Sequence, residues 1–134
     1  MTSMIISTLS GLHLIGDLYH CDPTHLSDST ELRKRCSQLC KDAGLTVLGD
    51  FFYQFDDAGV TGTVVLAESH IAIHTWPETC TVALDVFVCN HSRDNSDKAH
   101  QLFNAALDLL QPKKVIRKAV QRGRYERQTT HRVA

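Results

Sequence analysis

Glu68-Ser69-His70, then His74-Thr75-Trp76-Pro77-Glu78, with Cys89 one predicted strand later, form the densest cluster of potentially reactive side chains in the chain. Taken singly, each can be a strand residue with satisfied hydrogen bonds. A zinc site would draw on His70, His74, Cys80 and Cys89. The spacing argues against it. Two histidines four apart present their rings together on a helix, whereas this stretch is β-branched, and Cys80 and Cys89 lack the close pairing of zinc-binding cysteines. No metal is expected. A hydrolytic triad of Ser69, His74 and an acid would need an exposed, strained turn for the nucleophile. Ala67-Glu68-Ser69-His70 offers no glycine for one.

The elements that must position these residues follow from periodicity. Gly11 to Cys21 alternates as a strand, with Leu12, Leu14 and Leu18 on one face. Asp28 or Ser29 offers an N-cap, with Glu31 completing a capping-box pattern. Leu32, Cys36, Leu39, Cys40 and Ala43 then recur at helical spacing, and Gly44 is a natural stop. Cys36 and Cys40 fall on the apolar stripe, which suits packing rather than reactivity. Leu45–Tyr53, Val60–Ala67, Ile71–Trp76 and Thr81–Cys89 read as strands rich in β-branched and aromatic residues. In the last, Val82, Leu84, Val86 and Val88 share one face, and the other is also largely apolar, so cover on both sides is expected. Asp94 or Asn95 caps a second helix with Ala99, Leu102, Phe103, Ala106 and Leu110 as its stripe, ended by Pro112. Val115–Val120 is a last strand. The order β-α-β-β-β-β-α-β predicts an α+β two-layer sandwich: one antiparallel sheet with two helices on one face. The other face needs a cover, and a second copy of the chain supplies it, so a homodimer is expected.

The 134 residues, 43% hydrophobic and 22% charged, suit one globular domain spanning 1–134. A net charge of −1 gives no global attraction to nucleic acid or membranes, and the stretch Met4–Tyr19 falls short of a membrane span and lacks a secretory pattern. Five cysteines without paired spacing fit a reducing compartment, so a cytoplasmic protein is expected. The charge is uneven: residues 1–111 hold fourteen acids and six bases, residues 112–134 one acid and eight bases. That basic tail (Lys113, Lys114, Arg117, Lys118, Arg122, Arg124, Arg127, Arg132) admits a non-enzymatic phosphate-binding module as a rival reading. It has no interleaved aromatic beyond Tyr125, and the acidic remainder would repel nucleic acid.

The run from Ala67 to Glu78, followed by Leu84-Asp85-Val86-Phe87-Val88-Cys89, resembles the prokaryotic S-adenosylmethionine decarboxylase proenzyme family. The resemblance reaches upstream to Gly59-Val60-Thr61-Gly62 and Gly11–Ile15, and downstream to Arg122-Gly123-Arg124-Tyr125, so it spans nearly the whole domain. It implies an answer to a chemical need. Decarboxylation of an α-amino acid leaves a carbanion for which no side chain is an electron sink, and most such enzymes borrow pyridoxal phosphate. This chain has six lysines but no evident glycine-rich phosphate loop. The family instead makes a ketone from its own backbone. Ser69 Oγ attacks the Glu68 carbonyl to convert the amide to an ester. β-Elimination releases the upstream carboxylate and leaves dehydroalanine, whose tautomer hydrolyses to ammonia and a covalent pyruvoyl group. The products would be a β chain, 1–68, and an α chain, 69–134.

The resemblance also implies roles. His74 assists proton removal during processing, a task for the side chain that changes charge nearest neutrality. Thr61 stands where relatives often carry Ser and supports the processing intermediates. The pyruvoyl ketone forms a Schiff base with the substrate amine, and Cys89 protonates the carbanion after carbon dioxide leaves. Phe55 stacks on the adenine, and Glu78 accepts hydrogen bonds from the ribose hydroxyls. His70 neighbours the site without an assigned task. Two places depart from the family pattern: Thr79-Cys80-Thr81 replaces a common aromatic-Gly-aromatic step, and Asn90 replaces a common glycine. They leave open a same-fold pyruvoyl decarboxylase of ornithine or arginine. Phe55 and Glu78 favour S-adenosyl-L-methionine, with its decarboxylated product serving as aminopropyl donor for spermidine.

Overall fold

The protein was analysed as a computed structural model that describes residues 10–90 and 94–123. Strand β1 (Gly11–Tyr19) leads through a short 3-10 turn to helix α1 (Ser29–Asp42). Strands β2 (Val47–Gln54), β3 (Val60–Leu66), β4 (Ser69–Trp76) and β5 (Thr81–Cys89) follow, then helix α2 (Ser96–Leu110) and strand β6 (Lys114–Arg122). The six strands form one sheet in the order β2-β3-β4-β5-β1-β6, with every neighbouring pair antiparallel. The α+β sandwich with an antiparallel sheet is therefore present.

Local chemistry sets the helix ends. Asp28 accepts from the backbone N–H groups of Thr30 and Glu31, satisfying two donors that the first turn leaves open. Ala43 ends α1, and Gly44 takes the left-handed conformation (φ 80°) that favours glycine. Gln111 ends α2 in the same region at φ 54°, just before Pro112.

The core lies between the helices and one sheet face. Leu14, Leu18, Val64, Ile71, Ile73, Val82, Leu84 and Val86 meet Leu32, Cys36 and Cys40 of α1 and Leu102, Phe103 and Leu110 of α2. Burial pushes the Cys36 and Cys40 thiols up to about 12, with Cys40 adding to the shift at Cys36 and Arg35 opposing it, so both pack as small apolar groups. Gly16 makes room for α2: a Cβ there would stand 2.6 Å from the Phe103 ring. Arg117 of β6 covers that ring from 4.4 Å.

The opposite face follows from the strand period of two. It carries Ile15, Phe51, Tyr53, Val65, Trp76, Ile116 and Val120, all exposed. Contiguous apolar displays are uncommon on the surfaces of monomeric proteins. The expected cover on both faces of β5 is thus met on one side only within the chain: Val82, Leu84, Val86 and Val88 are buried, whereas Ala83, Asp85, Phe87 and Cys89 are half-buried. Several strand bounds differ from expectation: β2 is Val47–Gln54 rather than Leu45–Tyr53, and β3 ends at Leu66 rather than Ala67. Strand β1 ends at Tyr19 rather than Cys21; β6 runs from Lys114 to Arg122 because it pairs with the whole of β1. Strand β4 begins at Ser69, two residues early, because Ser69 and His70 pair with Leu66 and Val65 on one side and Val88 and Phe87 on the other. Pairing overrides their weak strand propensity.

Candidate functional site

A two-residue turn, Ala67-Glu68, joins β3 to β4 and puts Ser69 at the first strand position. Neither turn residue has a positive φ. The turn is tied down by a bond from the Ala67 N–H to the Thr46 carbonyl at 2.9 Å. Ser69 Oγ donates to the Glu68 carbonyl oxygen and accepts from the Cys89 N–H at 2.7 Å. Ser69, Glu68 and Cys89 therefore converge, half-buried, at one end of the sheet. A concavity of about 160 Å³ adjoins them, lined by Thr46, Glu68, Ser69, Val88, Asn95 and Lys98 among others.

Five residues along β4, His74 lies on the other face and is exposed. At about 3.3 Å per residue it stands roughly 17 Å from Ser69. That separation rules out a Ser69–His74 hydrogen bond within one chain. It equally places His70 and His74, four residues apart, about 13 Å from each other. Among the described residues no group of three or more His, Cys, Asp or Glu side chains is arranged to hold a metal.

His74 has company of its own. Its Nδ1 lies 3.1 Å from Thr61 Oγ1 on the neighbouring strand, in a bond whose direction follows the ring tautomer. Around them Phe55, Asp57, Trp76 and Glu78 line a concavity of about 270 Å³. Glu78 belongs to the short 3-10 turn Pro77–Thr79, and Phe55 closes the Asp56–Gly59 turn through a bond from its N–H to the Gly59 carbonyl at 2.8 Å. Beneath, buried Thr75 donates to the Leu26 carbonyl at 2.7 Å and accepts from the Val60 N–H at 2.9 Å. That pair of bonds fixes the ends of β3 and β4 to the β1–α1 connection. Asp57 escaped the sequence reading, and Trp76 was in the singled-out run without a role; alternation along β4 places Trp76 on the face of His74, with ring centroids 6.3 Å apart.

A third group sits at the Ser69 end of the strands, on the opposite sheet face. His13 Nε2 lies 3.5 Å from Asp85, and His13 Nδ1 lies 3.2 Å from Arg122 Nη1. Arg122 stacks 5.0 Å over the Phe87 ring, which also borders His70. Burial, aided by nearby His13 and Arg122 and opposed by Asp85, holds the His70 imidazole below its ordinary value of 6.5. The His70 ring is thereby biased to the neutral form. Of the basic tail, Lys113, Lys114, Arg117, Lys118 and Arg122 are described. Arg124, Tyr125, Arg127 and Arg132 lie outside the described residues. Among the described residues no helix is long and apolar enough to cross a membrane.

The arrangement thus offers a serine held against the carbonyl that precedes it, the Cys89 backbone N–H on that serine's oxygen, and a separate aromatic and acidic concavity. Comparison with known proteins shows the family. A family model described as S-adenosylmethionine decarboxylase matches residues 12–123. An S-adenosylmethionine decarboxylase proenzyme of Hydrogenobaculum sp. (strain Y04AAS1) is 39% identical over 113 residues, covering 84% of this chain and 81% of that protein. The proenzyme of Aquifex aeolicus (strain VF5) is 35% identical over 119 residues, 89% of this chain and 85% of that one. The crystal structure of the adenosylmethionine decarboxylase from Aquifex aeolicus superposes with a TM-score of 0.82 at 32% identity, covering 93% of this chain and all of that one.

Proposed function

The chain belongs to the S-adenosylmethionine decarboxylase family, and we propose that it cuts itself between Glu68 and Ser69 and decarboxylates S-adenosyl-L-methionine with a pyruvoyl group made from Ser69. The observation that carries this is the seating of Ser69. Its hydroxyl lies against the carbonyl group of Glu68, and the Cys89 N–H donates to the hydroxyl oxygen of Ser69. Attack of Oγ on the Glu68 carbonyl carbon breaks the amide and forms an ester. Removal of the Ser69 Cα proton then expels Glu68 as a carboxylate, with the Cys89 N–H positioned on the oxygen that takes the charge. Elimination leaves a dehydroalanine, and water converts its imine tautomer to the ketone with loss of ammonia.

The pyruvoyl group supplies the electron sink that decarboxylation requires. The rest falls to the chain's own side chains. Cys89 holds the proton that the product carbon receives. The Phe55 ring offers a face for the adenine and the Glu78 carboxylate accepts from the ribose hydroxyls, both at the rim of one concavity. Thr61 holds the His74 ring for proton transfer during processing.

Because Ser69 and the Phe55–Glu78 concavity lie at opposite ends of β4, a working site needs a second copy. Two chains packed through their apolar sheet faces, about a two-fold axis, bring the Ser69 end of one to the Glu78 end of the other. His74 then acts on the partner's Ser69, which it cannot reach in its own chain.

Intact-mass analysis tests the reading. The purified protein is expected as two fragments, 1–68 and 69–134, the latter labelled by a carbonyl reagent. Ser69→Ala should stay whole and inactive. A parent chain that remains in one piece, unlabelled yet active, sinks the proposal.

A further inference from the structure

We propose that Asn90 and Asn95 form a clamp that positions Cys89 against Ser69, and so act as positioning residues for self-cleavage. The inference rests on the decarboxylase reading above and deepens it. Four bonds converge on the end of β5. The Cys89 N–H donates to Ser69 Oγ at 2.7 Å, and the Cys89 carbonyl accepts from Asn95 Nδ2 at 2.9 Å. The Asn95 N–H donates to Asn90 Oδ1 at 2.7 Å, and the Asn90 N–H donates to the Ser10 carbonyl at 2.7 Å. Cys89 is thus held on both sides, and the atom it presents to Ser69 is the N–H on which elimination depends.

What Asn95 does not do is equally informative. It is the N-cap residue of α2, yet its side chain makes no capping bond. Asp94 serves the first turn instead, accepting from the Ser96 N–H at 2.9 Å. Asn95 is only 6% exposed, and its Oδ1 is buried with no hydrogen-bond partner among the described residues. A lone buried acceptor is costly, and a residue kept for packing alone would be apolar. The donation to Cys89 is what the position gains in return. Glycine has no side-chain acceptor, so Asn90→Gly removes the Asn90 half of the clamp.

The physical effect falls on Ser69 Oγ. In the elimination that oxygen leaves carrying the new negative charge, so a fixed N–H aimed at it acts in the transition state. A Cys89 backbone free to shift by a fraction of an ångström weakens that donation.

The test uses Asn95→Ser and Asn95→Asp in the full chain. Serine and aspartate are both favoured N-caps, so α2 keeps its start, and neither replaces the amide donor to Cys89. Precursor cleavage is followed by intact mass, ester by chain scission with hydroxylamine, and folding by the thermal midpoint. Cleavage should slow on the order of ten- to a hundredfold, as small misplacements do elsewhere. Hydroxylamine-sensitive ester should accumulate, because elimination lags behind ester formation. Asn90→Gly should show the same pattern more weakly.

Parental cleavage in Asn95→Ser, or slowing that merely follows a falling midpoint without ester, overturns the clamp. Should the buried carboxylate of Asn95→Asp prevent folding, Asn95→Ser alone decides. Ser69→Ala is the control: if it too is cleaved, the decarboxylase reading fails, whereas blocked Ser69→Ala beside parental Asn95 variants removes the clamp only.

Discussion

At its Ser69 end, β4 meets a two-residue turn and the close of β5, and nearly every bond there runs through the backbone: Cys89 N–H to Ser69, Ala67 N–H to Thr46, Cys89 carbonyl to Asn95. At its Trp76 end the same strand opens onto side chains, with Phe55, Thr61, His74 and Glu78 around a concavity. One end is suited to breaking a backbone bond, because strand pairing fixes atoms that side-chain rotamers would let wander. The other suits recognition, because aromatic faces and a carboxylate match a nucleoside. Under the proposed function, bond-making and substrate-holding are separate modules, and two chains must meet to join them.

That division can be broken by experiment. Cys89→Ala should still cleave, at least in part, but lose about 10²–10⁴-fold in turnover, the usual range for a missing acid. Normal turnover would remove Cys89 as proton donor. The sharper experiment mixes Cys89→Ala with Phe55→Ala after subunit exchange. Each is defective at a different end, so mixed dimers carry one intact site, and about a quarter of parental activity should return at random pairing. No recovery despite verified mixed dimers would mean that both ends serve one chain.

Glu78→Gln keeps the size of the side chain and one acceptor. It should raise KM about tenfold, with processing unaffected, as expected of a weakened hydrogen bond to substrate. A change in cleavage rate would instead tie the recognition end to bond-making. The smallest effect concerns His70, next to Ser69 on the opposite face of the sheet. His70 titrates below 6.5 when folded, so the unfolded chain takes up more protons as pH falls through 6.5. Its contribution to stability is complete above that value and declines toward acid. His70→Asn should therefore flatten the fall in thermal midpoint between about pH 7 and pH 5. An unchanged slope would place the acid sensitivity in other groups.

Much of this was legible in the residues. Helix α1 came out as read because a cap, a stripe and a stopping glycine are local signals, and Asp28, Leu32-Cys36-Cys40 and Gly44 supply them. The element order and the helix-covered sheet followed from periodicity. Strand β4 was read as starting at Ile71 because Ser69 and His70 lack strand propensity; their partners on β3 and β5 decide otherwise. Asn95 was legible as an N-cap, but that its amide turns away to Cys89 depends on where β5 ends. The His13–Asp85–Arg122 group joins residues from β1, β5 and β6, which no short window contains.

Sequence by itself determined the inventory: which side chains can attack, donate or stack, and on which face of a strand each must stand, since alternation is fixed by the backbone. Tertiary structure decided their distances. The run from Glu68 to Glu78 looks like one site on paper, yet an extended strand advances about 3.3 Å per residue, so its ends cannot meet. Folding pulled Ser69 toward Cys89, twenty positions away, and left Glu78 to face a different neighbour.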